Sequence, residues 1–247
     1  MSDRDRLFGV RAVVFGAASG VGEAITRIYS KHGAHVLAVD GAESGVALQL
    51  KSVPRVSGLP LSFAAAGSTA VAMDTAVRQF DGLDVIVNSF ALQPSEPFRD
   101  EAVMQQALLR RLERLQQHFE LALPHLKNSP AGRIISIGYV RSAFRRDGGP
   151  LYARAEDALA AQTREMAARS GEFGITVNYI QPGAVMTAES RRIFDADKAL
   201  RDDCIRGSAA RRIGEPVDVA KVALFLATDD ATFVSGTGIR VDGGRSV

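Results

Sequence analysis

The chain has 247 residues, 46% of them hydrophobic and 23% charged, and its 30 basic and 28 acidic side chains leave a formal charge of +2. That length supplies one sizeable core, so a single domain over residues 1–247 is expected, and the near-neutral balance excludes a bulk field for nucleic acid or membrane. Cys204 is the sole cysteine, which excludes an internal disulfide; no Cys/His cluster offers a metal site, and no run approaches the ~18 apolar residues of a spanning helix.

The charged start "MSDRDRLFGV" lacks the apolar run of a secretory signal, and with the lone cysteine it points to the cytoplasm. Short runs rich in Val and Ile then alternate with longer helical patterns. The runs are "AVVF" (12–15), "HVLAV" (35–39), "LDVIV" (83–87), "RIISI" (133–137), "ITVNYI" (175–180) and "GIRV" (238–241). Continuous apolar strands of this kind suit burial on both faces, as in a parallel sheet. Between the first two, Val21, Ala24, Ile25, Ile28 and Tyr29 keep the spacing of a core-facing helix, and Gly33 is placed to stop it. Further amphipathic helices are expected over 101–127, 152–170 and 216–228. Alternating strand and helix means an α/β sheet covered on both sides.

"VVFGAASGVGEAI" sets Gly16, Gly20 and Gly22 between the first strand and the first helix. Glycines there permit a tight turn and let the backbone approach a pyrophosphate, which a helix N-terminus stabilises. Asp40 ends the second strand, 24 residues beyond Gly16. A carboxylate there can accept from an adenosine ribose and repels a 2′-phosphate; the competing reading is a loop cap. No Arg or Lys follows in "DGAES", and the loop residues Ala18 and Ser19 are neutral, so NAD(H) is favoured over NADP(H).

With the rest of the chain, this glycine spacing resembles the short-chain dehydrogenase/reductase family over nearly the full length. "FGAASGVG" looks like the family's cofactor loop, with Phe15 in place of the usual Thr, and carries Gly16, Ser19, Gly20, Val21 and Gly22 as cofactor-binding positions. "VNYIQPGAVMT" looks like the strand and turn that receive the nicotinamide, which implies that Pro182, Gly183 and Val185 line the ring and Thr187 reaches its carboxamide. "RIGEPVDVAKVALFLATDDATFVSGTGIRVDGG" resembles the family's C-terminal helix, loop and last strand. The resemblance implies a Rossmann-type doubly wound sheet of about seven strands, a substrate lid near 188–212, and a homotetramer built on the 101–127 and 152–170 helices and the C-terminal segment. A hetero-oligomer with an active relative is the other assembly it allows.

In intact members a tyrosine moves the substrate proton, and a lysine four residues later lowers its pKa. A serine about 13 residues earlier polarises the substrate oxygen, and an asparagine on an earlier helix positions a water. Here Tyr152 matches the tyrosine, but the lysine position is Glu156 and the serine position is Tyr139. The asparagine position falls on Arg111, or on Arg110 if the alignment slips by one. "NSFA" keeps Asn88 of the family's Asn-Asn-Ala-Gly turn but brings in Phe90, and Ser62-Phe63 replaces the usual pair near the adenine. These last two departures are expected to crowd or weaken the adenosine side.

A cation ~4–6 Å from an acid lowers its pKa by ~1–3 units, and a carboxylate raises it. From a tyrosine near 10, that swing leaves almost no phenolate at neutral pH and removes most of an acid–base effect worth ~10²–10⁴ in rate. The plainer reading of Glu156 is a solvated helix residue. The sharper one pairs it with Arg111, leaving Tyr152 a hydrogen-bond donor only. Arg191, Arg192, Arg206, Arg211 and Arg212 could meet an anionic ligand, but the interleaved Glu189, Asp195, Asp197, Asp202 and Asp203 favour a self-neutralised loop. The expected function is an NAD(H)-binding oxidoreductase acting on a carbonyl or alcohol, its catalytic site degenerate. The alternative is a catalytically silent ligand sensor or partner subunit.

Overall fold

The computed structural model describes residues 5–18, 20–62, 67–90, 101–138 and 149–245, apart from the side chains of 101–104 and 149–153. Strands β1 (Arg11–Phe15), β2 (His35–Asp40), β3 (Val56–Pro60), β4 (Val85–Asn88), β5 (Arg133–Ile137), β6 (Thr176–Pro182) and β7 (Gly238–Val241) form one sheet. All neighbours are parallel, in the order β3-β2-β1-β4-β5-β6-β7. The chain winds outward from β1 through β2 to β3, then returns to the other side of β1, so the order reverses between β1 and β4. In open sheets of this class the crevice at that reversal, outside the carboxyl ends of the strands, receives the ligand.

The two-sided burial follows residue by residue. Ala12, Val14, Val36, Ala38, Val85, Val87, Ile135 and Ile137 point to one face, where α1 (Gly20–Lys31) and, near the C-terminus, α8 (Pro216–Ala227) pack. Val13, Phe15, Leu37, Val39, Ile86 and Ile134 point to the other, under α3 (Ser68–Phe80), α4 (Glu101–Leu126) and α5 (Gly149–Ser170). Each buried Val, Leu or Ile contributes about 1.5–3 kcal/mol, and the paired faces explain why these strands read as unbroken apolar runs. At the amino end of the sheet, Arg11 grips Asp84 through Nε (2.8 Å) and Nη2 (2.7 Å), and Ser129 Oγ donates to the same carboxylate at 2.6 Å.

Several boundaries differ from the sequence reading by a few residues. The run 83–87 enters the strand register at Val85, with Asp84 still hydrogen-bonded through its backbone to Arg11 and Arg133, and the run 175–180 continues to Pro182. The seventh strand, β3, was not located in the sequence, since "VSGLP" has no fully buried residue and no apolar run. Helix α3 was also missed; its buried Thr69, Ala72, Met73 and Ala76 keep helical spacing, but three of the four are small. A short α2 (Val46–Gln49) covers Gly58, and the lid region consists of α6 (Ala188–Ala196) and α7 (Lys198–Arg206).

Candidate cofactor and catalytic site

The loop after β1 lies at the reversal point. Gly16 and Gly20 have positive φ, 75° and 56°. A side chain on Gly16 would collide with the Ser89 carbonyl, and one on Gly22 would collide with the Gly16 carbonyl. The backbone is therefore packed as closely as glycine allows, and α1 begins at Gly20 with its first N–H groups at the crevice. Val21 is buried in the core beneath this turn. Ser19 lies outside the described residues.

Asp40 Oδ2 accepts from the Ala18 N–H and Oδ1 from the Gly41 N–H, both at 2.7 Å. The loop-cap role is thus real, and each oxygen keeps a lone pair that a ribose hydroxyl can use. Thr187 caps α6: its Oγ1 accepts from the Ser190 N–H at 3.0 Å, and a Cβ on Gly20 would stand 3.1 Å from its methyl. Gly16, Gly20, Gly22, Asp40 and Thr187 are therefore brought around one crevice. Pro182 ends β6 beside it and Gly183 follows, whereas the Val185 side chain is buried in the core. The residues present fit a dinucleotide: a cradle closed to a Cβ at Gly16 and Gly22, a helix that starts at Gly20 and a carboxylate at the end of β2.

Asn88 at the end of β4 is buried, donating to Ser136 Oγ at 3.3 Å. The Phe90 ring packs against Phe15, with centroids 5.9 Å apart, and against His118 at 5.3 Å, under the Arg114 guanidinium at 5.0 Å. Much of its bulk is thereby taken up on the α4 side of the sheet. Of Ser62-Phe63, Phe63 lies outside the described residues.

At the catalytic end, Arg111 is 6% exposed and donates through Nη2 to the Ile137 carbonyl, while Arg110 faces solvent. Of the two arginines, Arg111 is the one that faces inward. Glu156 is 8% exposed, and its Oε1 stands 3.6 Å from the position of a Cβ on Gly138. The solvated-residue reading of Glu156 does not hold. Arg111 and Glu156 thus reach consecutive residues at the end of β5. Tyr139 lies outside the described residues, as does the Tyr152 side chain.

Sequence reasoning missed a further phenol, Tyr179. Tyr179 on β6 has its pKa raised, first by burial and next by the charge of Glu156. The available signal was a tyrosine in a largely buried strand that also carries Thr176 and Asn178. His118 was missed too. In the lid, Arg191, Arg192, Arg206, Arg211 and Arg212 are exposed, and Arg212 pairs with Asp218 at 2.7 Å and Lys198 with Asp195 at 2.9 Å. This fits the self-neutralised loop. Glu189 is the partial exception: burial pushes its carboxyl up, against the pull of Arg192.

Residues 16–246 match the family described as enoyl-(acyl carrier protein) reductase. The chain belongs to the short-chain dehydrogenase/reductase family. It is 32% identical to momilactone A synthase of Oryza sativa subsp. japonica, across 100% of this chain and 93% of that protein. Xanthoxin dehydrogenase of Arabidopsis thaliana is 30% identical, across 97% and 90%. The crystal structure of a hydroxysteroid dehydrogenase from Escherichia coli superposes with a TM-score of 0.84 over 98% of this chain and 99% of that one, at 24% identity, and shares the fold. The family is one of oxidoreductases that use a nicotinamide dinucleotide, the cofactor class this crevice fits.

Proposed function

We propose that this short-chain dehydrogenase/reductase binds NAD(H) and has weak or altered oxidoreductase activity on a carbonyl or alcohol. The observation that carries the reading is Glu156: a buried carboxylate, 8% exposed, at the position where intact members hold the activating lysine. When bound, the dinucleotide supplies or accepts the hydride. The chain's own residues then hold the loop (Gly16, Gly20, Gly22), accept from the ribose (Asp40) and leave Tyr152 a hydrogen-bond donor. NAD(H) rather than NADP(H) follows from the Asp40 carboxylate, which accepts at the end of β2 and repels a 2′-phosphate.

Arg111 favours a second reading, a silent subunit or ligand sensor, because its guanidinium is committed to the Ile137 carbonyl where the family relay needs a water-holding asparagine. Leu109 on α4 is 52% exposed and Phe233 before β7 is fully exposed, which supports assembly through both of the family's interfaces as a homotetramer or with a related subunit. No helix among the described residues is long and apolar enough to cross a membrane; the lone, buried Cys204 fits a reducing cytoplasm.

The test is a fluorescence titration with NADH and NADPH, followed by NADH oxidation across a carbonyl panel. NADH binding with slow turnover supports the first reading, and binding without turnover the second. Brisk ketone reduction abolished by Tyr152→Phe would show that Tyr152 is a working acid and defeat both.

A further inference from the structure

His118 is 1% exposed on α4, and its position in the fold is unusual for a histidine. Nδ1 lies 2.7 Å from Asn88 Oδ1, and Nε2 has no hydrogen-bond partner among the described residues. The Asn88 amide donates through Nδ2 to Ser136 Oγ and turns its oxygen to the imidazole, an orientation in which Nδ1 carries the proton. The ring is flanked by Phe15, at 4.0 Å between centroids, and by the edge-on Phe90. Those two residues adjoin the backbone pair that supports the cofactor loop. Ser89 donates its N–H to the Phe15 carbonyl at 2.9 Å, and its own carbonyl is the surface on which Gly16 rests. A single side chain on α4 thus contacts both strand ends, β1 and β4, that meet beneath the loop.

We propose that His118 is a positioning residue for the dinucleotide loop, acting as a neutral imidazole whose Nδ1–H holds Asn88 and, through Asn88–Phe90, the floor under Gly16. The proposal rests on the cofactor reading above, although His118 itself touches no cofactor. Its neutral state has a physical cause: burial, and secondarily the charge of Arg114, lower the imidazole pKa to about 3. Losing the donor leaves the Asn88 oxygen buried without a partner, so the amide and the end of β4 must shift. The loop moves with them, because no gap separates Ser89 from Gly16.

Two variants separate the ring from its proton. His118→Phe keeps the aromatic bulk and removes the donor; His118→Asn keeps an N–H near the Nδ1 position and removes the ring. NADH affinity is read by fluorescence titration, thermal midpoint by calorimetry, and the native tautomer by ¹⁵N NMR of the imidazole. The expected result is an Nδ1–H tautomer, at least fivefold weaker NADH binding in His118→Phe, and near-native binding in His118→Asn although both variants melt earlier. An Nε2–H tautomer, unchanged affinity in His118→Phe, or equal loss in both variants overturns the proposal. If the native protein binds neither NADH nor NADPH, the cofactor reading fails and takes the proposal with it. Native binding with an indifferent His118→Phe defeats the proposal alone.

Discussion

The Asp40 carboxylate bridges the end of β2 to the cofactor loop, accepting from Ala18 N–H at 2.7 Å while its other oxygen caps Gly41. One side chain therefore shapes the loop and offers an anion where an adenosine ribose would lie. Asp40→Ala removes both roles. NADH affinity should fall about tenfold, ~1.4 kcal/mol, and the preference for NADH over NADPH should shrink because the repulsion is gone. Calorimetric titration of both nucleotides checks this. Native protein binding NADPH tenfold tighter than NADH would refute the argument from Asp40.

Acid should act on the fold in two windows. His118 is held neutral in the folded chain, its pKa lowered from the ordinary 6.5 to about 3. The unfolded chain then binds the extra proton, so this contribution is complete above about 6.5 and is lost as pH falls, at up to ~1.4 kcal/mol per pH unit. Asp84 works lower on the scale. Burial pushes its carboxyl up, but hydrogen bonds from Arg11 and Ser129 outweigh that and leave it below the ordinary 3.8. Its contribution is present above that value and lost below it. Urea unfolding from pH 7 to 3 should show a slope beginning near pH 6 that His118→Phe flattens. Asp84→Asn should destabilise at neutral pH and flatten only the acid limb, leaving the slope near pH 6 in place.

Phe233 and Leu109 lie on the two surfaces proposed for assembly, and both are exposed in the single chain. Phe233→Asp should convert a tetramer to a dimer, and Leu109→Asp should disrupt the α4–α5 pairing, each with little change in urea midpoint. Light scattering at micromolar concentration measures it. A native monomer would defeat the assembly reading outright.

Legibility in the sequence followed burial. Strands covered on both faces, such as β1 with Ala12 and Val14 to one side and Val13 and Phe15 to the other, announce themselves as apolar runs. β3 does not, because one edge of the sheet has no neighbour and Ser57 and Gly58 suffice there. The glycine loop and Asp40 were readable because close backbone approach admits few residue types. Glu156 was noticeable only as a departure from the family's lysine, and nothing in the sequence distinguished a buried from a solvated carboxylate. His118 gave less still: a lone histidine at core spacing on a helix carries no sign of the Asn88 amide, 30 residues earlier, that it holds.

The remaining prediction concerns that carboxylate. Glu156 lies near Tyr179, whose phenol it helps keep neutral, and beside Gly138 at the end of β5. Tyr152 is one helical turn before it on α5, so Tyr152 should be subject to the same influence. Glu156→Lys reverses the sign of that charge, and Tyr139→Ser supplies the small hydroxyl that intact family members use to polarise the substrate oxygen. The double variant should gain NADH-dependent ketone reduction of ~10²-fold or more over the native protein, the lower range of an acid–base contribution. Its rate should depend on pH through a group absent from the native profile. Glu156→Gln is the control: it removes the anion without adding a cation, and should gain far less. The measurement is NADH oxidation with a ketone panel at saturating cofactor, with binding verified separately for each variant. Equal rates for the native protein and the double variant, both binding NADH, would mean that Glu156 is not what silences Tyr152.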